Sequence, residues 1–137
     1  MVHPAAPLDL ADLRQKLRAV VGAAHLREGA GPDQGAALLV LPANTAEVAA
    51  VVAICHAHGV SIVPQGGQTG LVGGCQSQAD QVVLSLTRMA QIEAILPQER
   101  VAVVQAGVAL EVLQTAAALH GLEPGIDLAA RGTATIG

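Results

Sequence analysis

Five of the nine residues from Gly66 to Gly74 are glycine, in the run Pro64-Gln65-Gly66-Gly67-Gln68-Thr69-Gly70-Leu71-Val72-Gly73-Gly74. Glycine at this density weakens a helix or strand through conformational entropy, so the run needs a reason of its own. Glycines let the backbone come close to a ligand and adopt positive φ, and successive N–H groups can then converge on an anion. A phosphate or pyrophosphate is the natural occupant; the bland alternative is a tight loop between strands that binds nothing. Two familiar phosphate loops fail on spacing. There is no G-x-x-x-x-G-K-S/T, and no G-x-G-x-x-G opening a helix. A polar stretch and a strand follow, so anion binding would rest on the amides more than on a helix dipole.

The elements that must position this loop follow from hydrophobic periodicity. Leu10, Leu13, Leu17, Val20 and Val21 recur at helical spacing behind Asp9, which can cap the helix start. Gly29-Ala30-Gly31-Pro32-Asp33 reads as a loop, and Ala36 to Leu41 as a buried strand. Asn44 and Glu47 have capping-box spacing ahead of a stripe of Val48, Val51, Val52 and Cys55, and Gly59 stops that helix. Val60–Val63 is then a strand, and strand–helix–strand over about thirty residues predicts a right-handed βαβ unit with parallel strands. After the glycine run, Val82 to Leu86 reads as a strand. Ile92–Leu96 and Val101–Gln105 flank Pro97-Gln98-Glu99 as a hairpin. A third helix carries Leu110, Leu113 and Ala117 on one face and stops at Gly121. The tail from Glu123 to Gly137 has no settled period.

Composition narrows the classes of function. The 137 residues are 52% hydrophobic and 13% charged, with mean hydropathy +0.51, which excludes a disordered chain. The longest strongly apolar run, Val48 to Cys55, falls far short of the roughly 18 residues of a membrane span. The N-terminus shows no basic segment followed by an apolar stretch, so no signal peptide is expected. Seven basic against eleven acidic residues leave a net charge of −4 with no clustered positive face, and no aromatic residue is present for stacking on bases. Nucleic acid is therefore not an expected partner. Cys55 and Cys75 make neither a disulfide framework nor a metal cluster, which points to reduced thiols and a cytoplasmic location.

Other chemistry-bearing residues have plainer explanations. His25, His56, His58 and His120 lie near helix ends, where the dipole favours them, and no third ligand supports a metal. Cys55 falls on an apolar stripe as a core thiol, and Cys75 reads as a small residue beside the loop. Arg131 can neutralise a phosphate or pair with a neighbouring carboxylate. Asp127 can cap a turn.

Taken as a string, Val63 to Gly74 resembles the first flavin-pyrophosphate loop of the p-cresol methylhydroxylase-type FAD-binding domain of the vanillyl-alcohol oxidase superfamily. Within it, the chain is most similar to the branch of D-lactate and D-2-hydroxyglutarate dehydrogenases and the glycolate oxidase FAD subunit. Three further stretches agree in order. Leu41–Val48 resembles the entry to the first βαβ unit, Val82–Met89 the strand after the loop, and Asp127–Gly137 the second flavin-contacting segment. The resemblance implies a mixed α/β (α+β) fold, with a small parallel βαβ subdomain followed by the start of an antiparallel one. It divides the chain into an N-terminal helix and linker (1–35) and the N-terminal part of an FAD-binding domain (36–137).

Carried over position by position, it implies FAD contacts at Gly66, Gly67, Gln68, Thr69 and Gly70, with Gly73 and Gly74 shaping the loop. Gly132, Thr133, Thr135 and Gly137 approach the flavin from the second segment, the threonines as hydroxyl donors. Some relatives attach flavin through a histidine in this loop; here Gln68 stands in a stretch without His, implying non-covalent FAD. The implied reaction is oxidation of a D-2-hydroxy acid such as D-lactate, D-2-hydroxyglutarate or glycolate, with the electron acceptor unassigned. No catalytic residue is assigned, because the family's catalytic base and metal-binding histidines would lie after residue 137. The length departs from the family pattern, and the chain reads as an N-terminal fragment. Two alternatives stay open: a catalytically incompetent fragment, and an α/β module for another phosphorylated ligand.

Overall fold

The computed structural model describes residues 9–29 and 35–137. Ala30–Asp33 of the expected loop lie outside the described residues. The chain forms two compact units: residues 1–64 with 75–85, and residues 65–74 with 86–137.

The first unit is built on side-chain burial. Helix α1 (Leu10–Val21) starts where Asp9 accepts the Asp12 N–H at 3.1 Å, and it buries Leu13, Leu17 and Val21. Leu10, expected on the same stripe, is 42% exposed, because it stands in the first turn beyond the reach of the core. Strand β1 (Leu26–Glu28) pairs antiparallel with β2 (Leu38–Val40). Strand β1 is not announced by the residue pattern: it has three residues, two of them charged, and so shows no alternation.

Helix α2 (Thr45–Ala57) opens with the expected capping box. Asn44 Oδ1 accepts the Glu47 N–H at 2.9 Å, and Glu47 Oε2 reaches back to the Ala43 N–H at 2.8 Å. It closes at Gly59, where φ is +64° and the Val60 N–H donates to the Cys55 carbonyl at 2.9 Å, the six-to-one bond of a glycine-terminated helix. Val51 and Cys55 are buried. Val52, expected on the buried stripe, is instead 44% exposed: it lies about 100° round the helix from Val51 and faces away. Burial pushes the Cys55 thiol pKa up, as for a core thiol.

Strand β3 (Ile62–Gln65) follows, but β3 is not the neighbour of β2. The sheet order is β1-β2-β4-β3, with β4 (Val82–Ser85) between the two strands of the βαβ crossover. β2 and β4 are parallel, Leu38 opposite Val82 and Val40 opposite Leu84. Along β3 the Val82 N–H donates to the Ser61 carbonyl and the Leu86 N–H to the Gln65 carbonyl, both strands advancing together as parallel neighbours do. The crossover therefore leaves one strand's width, which the chain fills after the glycine run. All four residues of β4 are buried, as a central parallel strand requires.

In the second unit, β5 (Ile92–Leu96) and β6 (Val101–Val104) form the expected antiparallel hairpin, with a register irregularity between Ile92 and Ala94. Helix α3 (Leu110–Ala118) buries Leu110, Leu113 and Ala117. It ends at Gly121, with φ +67° and the Leu122 N–H on the Ala117 carbonyl at 3.1 Å.

Candidate functional site

The glycine run and the tail meet within the second unit, backbone against backbone. The Gly67 N–H donates to Thr135 Oγ1 at 3.1 Å. A Cβ on Gly67 would land on the Thr133 carbonyl and lie 3.2 Å from the Ala134 Cα; one on Gly66 would strike the Thr135 hydroxyl and sit 2.5 Å from the Gly137 carbonyl oxygen. Glycine is demanded at both positions by this approach, not by φ.

The tail is held for the encounter by its own ladder. The Leu110 N–H donates to the Ala134 carbonyl at 2.9 Å, Ile136 N–H to Val108 at 2.9 Å, and Gly137 N–H to Ala106 at 2.8 Å. Ala109 and Thr135 form an antiparallel bridge. A side chain on Gly137 would come within 2.7 Å of the Ala106 methyl.

The remaining loop residues have a different character. Gly70 and Gly74 have nothing within 4 Å of where a Cβ would project, and only Gly73 among the run's glycines uses positive φ (+76°). The left-handed residue at the turn's start is not glycine: Gln68 has φ +56°. Its side-chain amide donates to Gln65 Oε1 at 2.9 Å, and Gln65 is only 2% exposed. No hydrogen bond among the described residues engages the backbone N–H groups of Gln68, Thr69 or Gly70. The loop tip, Leu71 and Val72, is almost wholly exposed.

Of the residues expected to contact a flavin, Gly66, Gly67, Thr133, Thr135 and Gly137 are thus brought together. Gln68, Thr69 and Gly70 continue from that junction with open amides. On the side where a Cβ would project, Gly132 faces Glu111, with Glu111 Oε2 3.2 Å from that position. The threonine hydroxyls are already committed as donors inside the chain: Thr135 Oγ1 to the Gly137 carbonyl at 2.9 Å, Thr133 Oγ1 to the Ala130 carbonyl at 3.2 Å. Arg131 pairs with Asp127 at 3.4 Å, while Asp127 also accepts the Leu128 N–H.

Two positions escaped the sequence reading. Gly107, whose Cβ would strike the Leu86 carbonyl and lie 2.8 Å from the Met89 oxygen, is a second forced close approach with no motif to mark it. Gln65 is a buried amide at the end of an otherwise apolar strand, a break in pattern that was a legible signal.

Residues 65–74 contain no charged side chain. Open amides on a loop seated at Gly66 and Gly67 against the tail suit an anion that must be approached closely, and the residues present fit a pyrophosphate. The FAD binding domain family matches residues 36–137. The chain belongs to the FAD-binding domain family.

Its relatives include the D-2-hydroxyglutarate dehydrogenase of Xanthomonas citri pv. viticola, 41% identical over 99 residues, which cover 72% of this chain and 21% of that protein. The mitochondrial D-2-hydroxyglutarate dehydrogenase of Bos taurus is 37% identical over 100 residues, 73% of this chain and 18% of that one. The chain thus spans about a fifth of the length of these relatives. Among solved structures, an alkyldihydroxyacetonephosphate synthase matches with TM-score 0.83 at 21% identity, over 99% of this chain and 30% of its own. A substrate-bound p-cresol methylhydroxylase matches with TM-score 0.68 at 24% identity, over 82% and 25%. The FAD-binding domain has the p-cresol methylhydroxylase-type fold. No described helix is long and apolar enough to cross a membrane, and no cluster of three metal-ligating side chains occurs among the described residues.

Proposed function

We propose that Gly66–Gly70 hold the pyrophosphate of a non-covalently bound FAD, with Gly73 and Gly74 shaping the loop. In this reading Gly132, Thr133, Thr135 and Gly137 border the same cofactor, in a dehydrogenase that oxidises a D-2-hydroxy acid. The observation that carries it is the run of open amides at Gln68, Thr69 and Gly70, leading away from a junction where Gly67 is locked to Thr135. Family membership favours flavin over another phosphorylated ligand. Bound FAD supplies the acceptor for the hydride leaving the substrate's hydroxyl-bearing carbon. The chain's own residues bind and orient: Gln68–Gly70 donate N–H groups, and Gly66 and Gly67 let the loop seat on the tail. Because their hydroxyl protons go to Gly137 and Ala130, Thr133 and Thr135 act in this reading by fixing the tail, not as flavin donors.

The relatives' names favour D-2-hydroxyglutarate, and D-lactate is a second candidate because a D-lactate dehydrogenase of Anaerostipes hadrus is also similar. No relative described here names glycolate. Since the matched stretch is about a fifth of those proteins, turnover is proposed for a protein of their length, and flavin binding for this chain. A cytoplasmic location belongs to the same reading, on the expectation of reduced thiols, although the Bos taurus relative is named mitochondrial.

An FAD titration of the chain, followed by flavin fluorescence with circular dichroism as a folding control, tests this. The absence of Trp and Tyr leaves the flavin signal unobscured. Saturable binding, weakened about tenfold or more by Gly70→Val with an unchanged dichroism spectrum, is expected. The bound flavin should be fully released by denaturation and ultrafiltration. A folded chain that leaves FAD emission unchanged would overturn the proposal.

A further inference from the structure

Gln68 poses a specific problem. Its φ of +56° is a backbone state that residues other than glycine seldom adopt, yet in a run where five of nine residues are glycine this position is not one of them. Something must compensate, and one feature is placed to do so. Gln65, three residues earlier and 2% exposed, accepts the Gln68 side-chain amide at 2.9 Å, while its own backbone carbonyl is fixed by the Leu86 N–H at 3.0 Å. The acceptor is therefore anchored at strand β3, whereas Gln68 itself is exposed and has no other side-chain bond among the described residues.

A single left-handed residue reverses the hand of the backbone and turns consecutive N–H groups toward one side, the geometry that makes an anion site from a loop. We propose that Gln65 is a positioning residue: its buried side-chain oxygen holds Gln68 in the left-handed conformation, and thereby aims the amides of Gln68, Thr69 and Gly70. The consequence for cofactor affinity rests on the pyrophosphate reading above. The conformational claim does not.

The test uses the 137-residue chain with Gln65→Met, Gln68→Leu, Gln68→Gly and the Gln65→Met/Gln68→Gly double variant. Two quantities are read: the intraresidue amide-to-Hα NOE at residue 68, which is strong when φ is positive, and the FAD dissociation constant. Wild type should show the strong NOE without any FAD. Gln65→Met should lose it and weaken FAD about tenfold, the scale of one buried hydrogen bond. Gln68→Leu removes the same bond from the exposed end, so it serves if the buried substitution fails to fold, and it should behave alike.

Glycine needs no support at positive φ. In the Gln68→Gly background, Gln65→Met should therefore change affinity by less than about twofold. A general packing role for Gln65 predicts the opposite, a loss just as large with glycine at 68. Either that result, or a strong NOE at residue 68 persisting in both Gln65→Met and Gln68→Leu, would overturn the inference. If wild type shows the NOE but no FAD affinity, the pyrophosphate reading fails while the positioning claim is still decided by the NOE.

Discussion

The two compact units of this chain are held in different ways. The first is closed by side chains: α1 and α2 bury Leu13, Leu17, Val51 and Cys55, every residue of β4 is buried, and both helices begin on side-chain caps. The second is closed in large part by backbone on backbone. Gly66 and Gly67 lie on the tail, Gly107 lies on Leu86 and Met89, and Gly137 lies on Ala106, each in a space that one methyl group would fill. Exposed large hydrophobics divide the same way. Among the described residues, Leu10 and Val52 belong to the first unit, whereas Leu71, Val72, Leu96, Val101, Val103, Val112, Leu119, Ile126, Leu128 and Ile136 belong to the second. A unit organised around close backbone approach can place amides where a ligand needs them, but it leaves apolar surface that side chains of its own do not cover.

That contrast predicts where substitutions act. Leu17→Ala, at a fully buried position, should cost about 3–4 kcal/mol in urea unfolding. The loss should appear in hydrogen exchange as faster opening of α1 and α2. Equal acceleration throughout residues 86–137 would show that the units unfold together and would break the comparison.

In the second unit the size of the effect should follow space, not side-chain volume. Gly67→Ala adds one methyl group against the Thr133 carbonyl and should cost about 3 kcal/mol. Gly70→Ala meets nothing within 4 Å and should stay within about 0.5 kcal/mol. Two glycines three residues apart would then differ several-fold in cost. Similar urea midpoints for the two variants would refute the backbone junction.

The same contrast explains how much could be read from the sequence. The first unit advertises itself through periodicity and caps: Asp9, the Asn44–Glu47 box and Gly59 mark helix ends by chemistry that is local to the chain. The structure departs from expectation in reach, at Leu10 and Val52; the parallel βαβ unit is as expected, and no local pattern announces that β4 enters between β2 and β3. The glycine run stands out in the sequence as a loop whose composition needs a reason, but the division of labour within it does not. Which glycines meet Thr133 or Ala106 depends on residues tens of positions away, and a left-handed Gln68 cannot be inferred from glycine content. Gly107 carried no signal, because a lone glycine at a strand's end is common.

Capping offers a smaller probe of the first unit. Asn44→Ala removes the acceptor of the Glu47 N–H and should cost about 1 kcal/mol, leaving the glycine loop's hydrogen exchange unchanged.

The smallest effect is one of pH. His58, at the C-terminal end of α2, has both ring nitrogens against acceptors: Nδ1 at 2.8 Å from the Ile54 carbonyl and Nε2 at 2.8 Å from Asp12 Oδ2. Lys16 holds that same carboxylate oxygen at 2.7 Å, which favours ionised Asp12, and a ring whose two nitrogens both face acceptors is favoured in its doubly protonated form. Accordingly the bond to Asp12, and secondly that to Ile54, raise the His58 pKa above 6.5, while Lys16 first and His58 second hold Asp12 below 3.8. For the histidine, the stabilisation is complete below 6.5 and fades as pH rises through the elevated folded-state value. For the aspartate, it is complete above 3.8 and fades as pH falls through the depressed one. The α1–α2 contact is therefore strongest between these limits. The urea midpoint of wild type should exceed that of His58→Gln by most in that window, the gap narrowing on the alkaline side and with added salt. Because Asp12, Lys16 and His58 all belong to the first unit, the FAD affinity proposed for the loop should not follow this profile. A gap that stays constant from pH 5 to pH 9 would mean that His58 is neutral in the folded chain and that the helix pair is held by its apolar face alone.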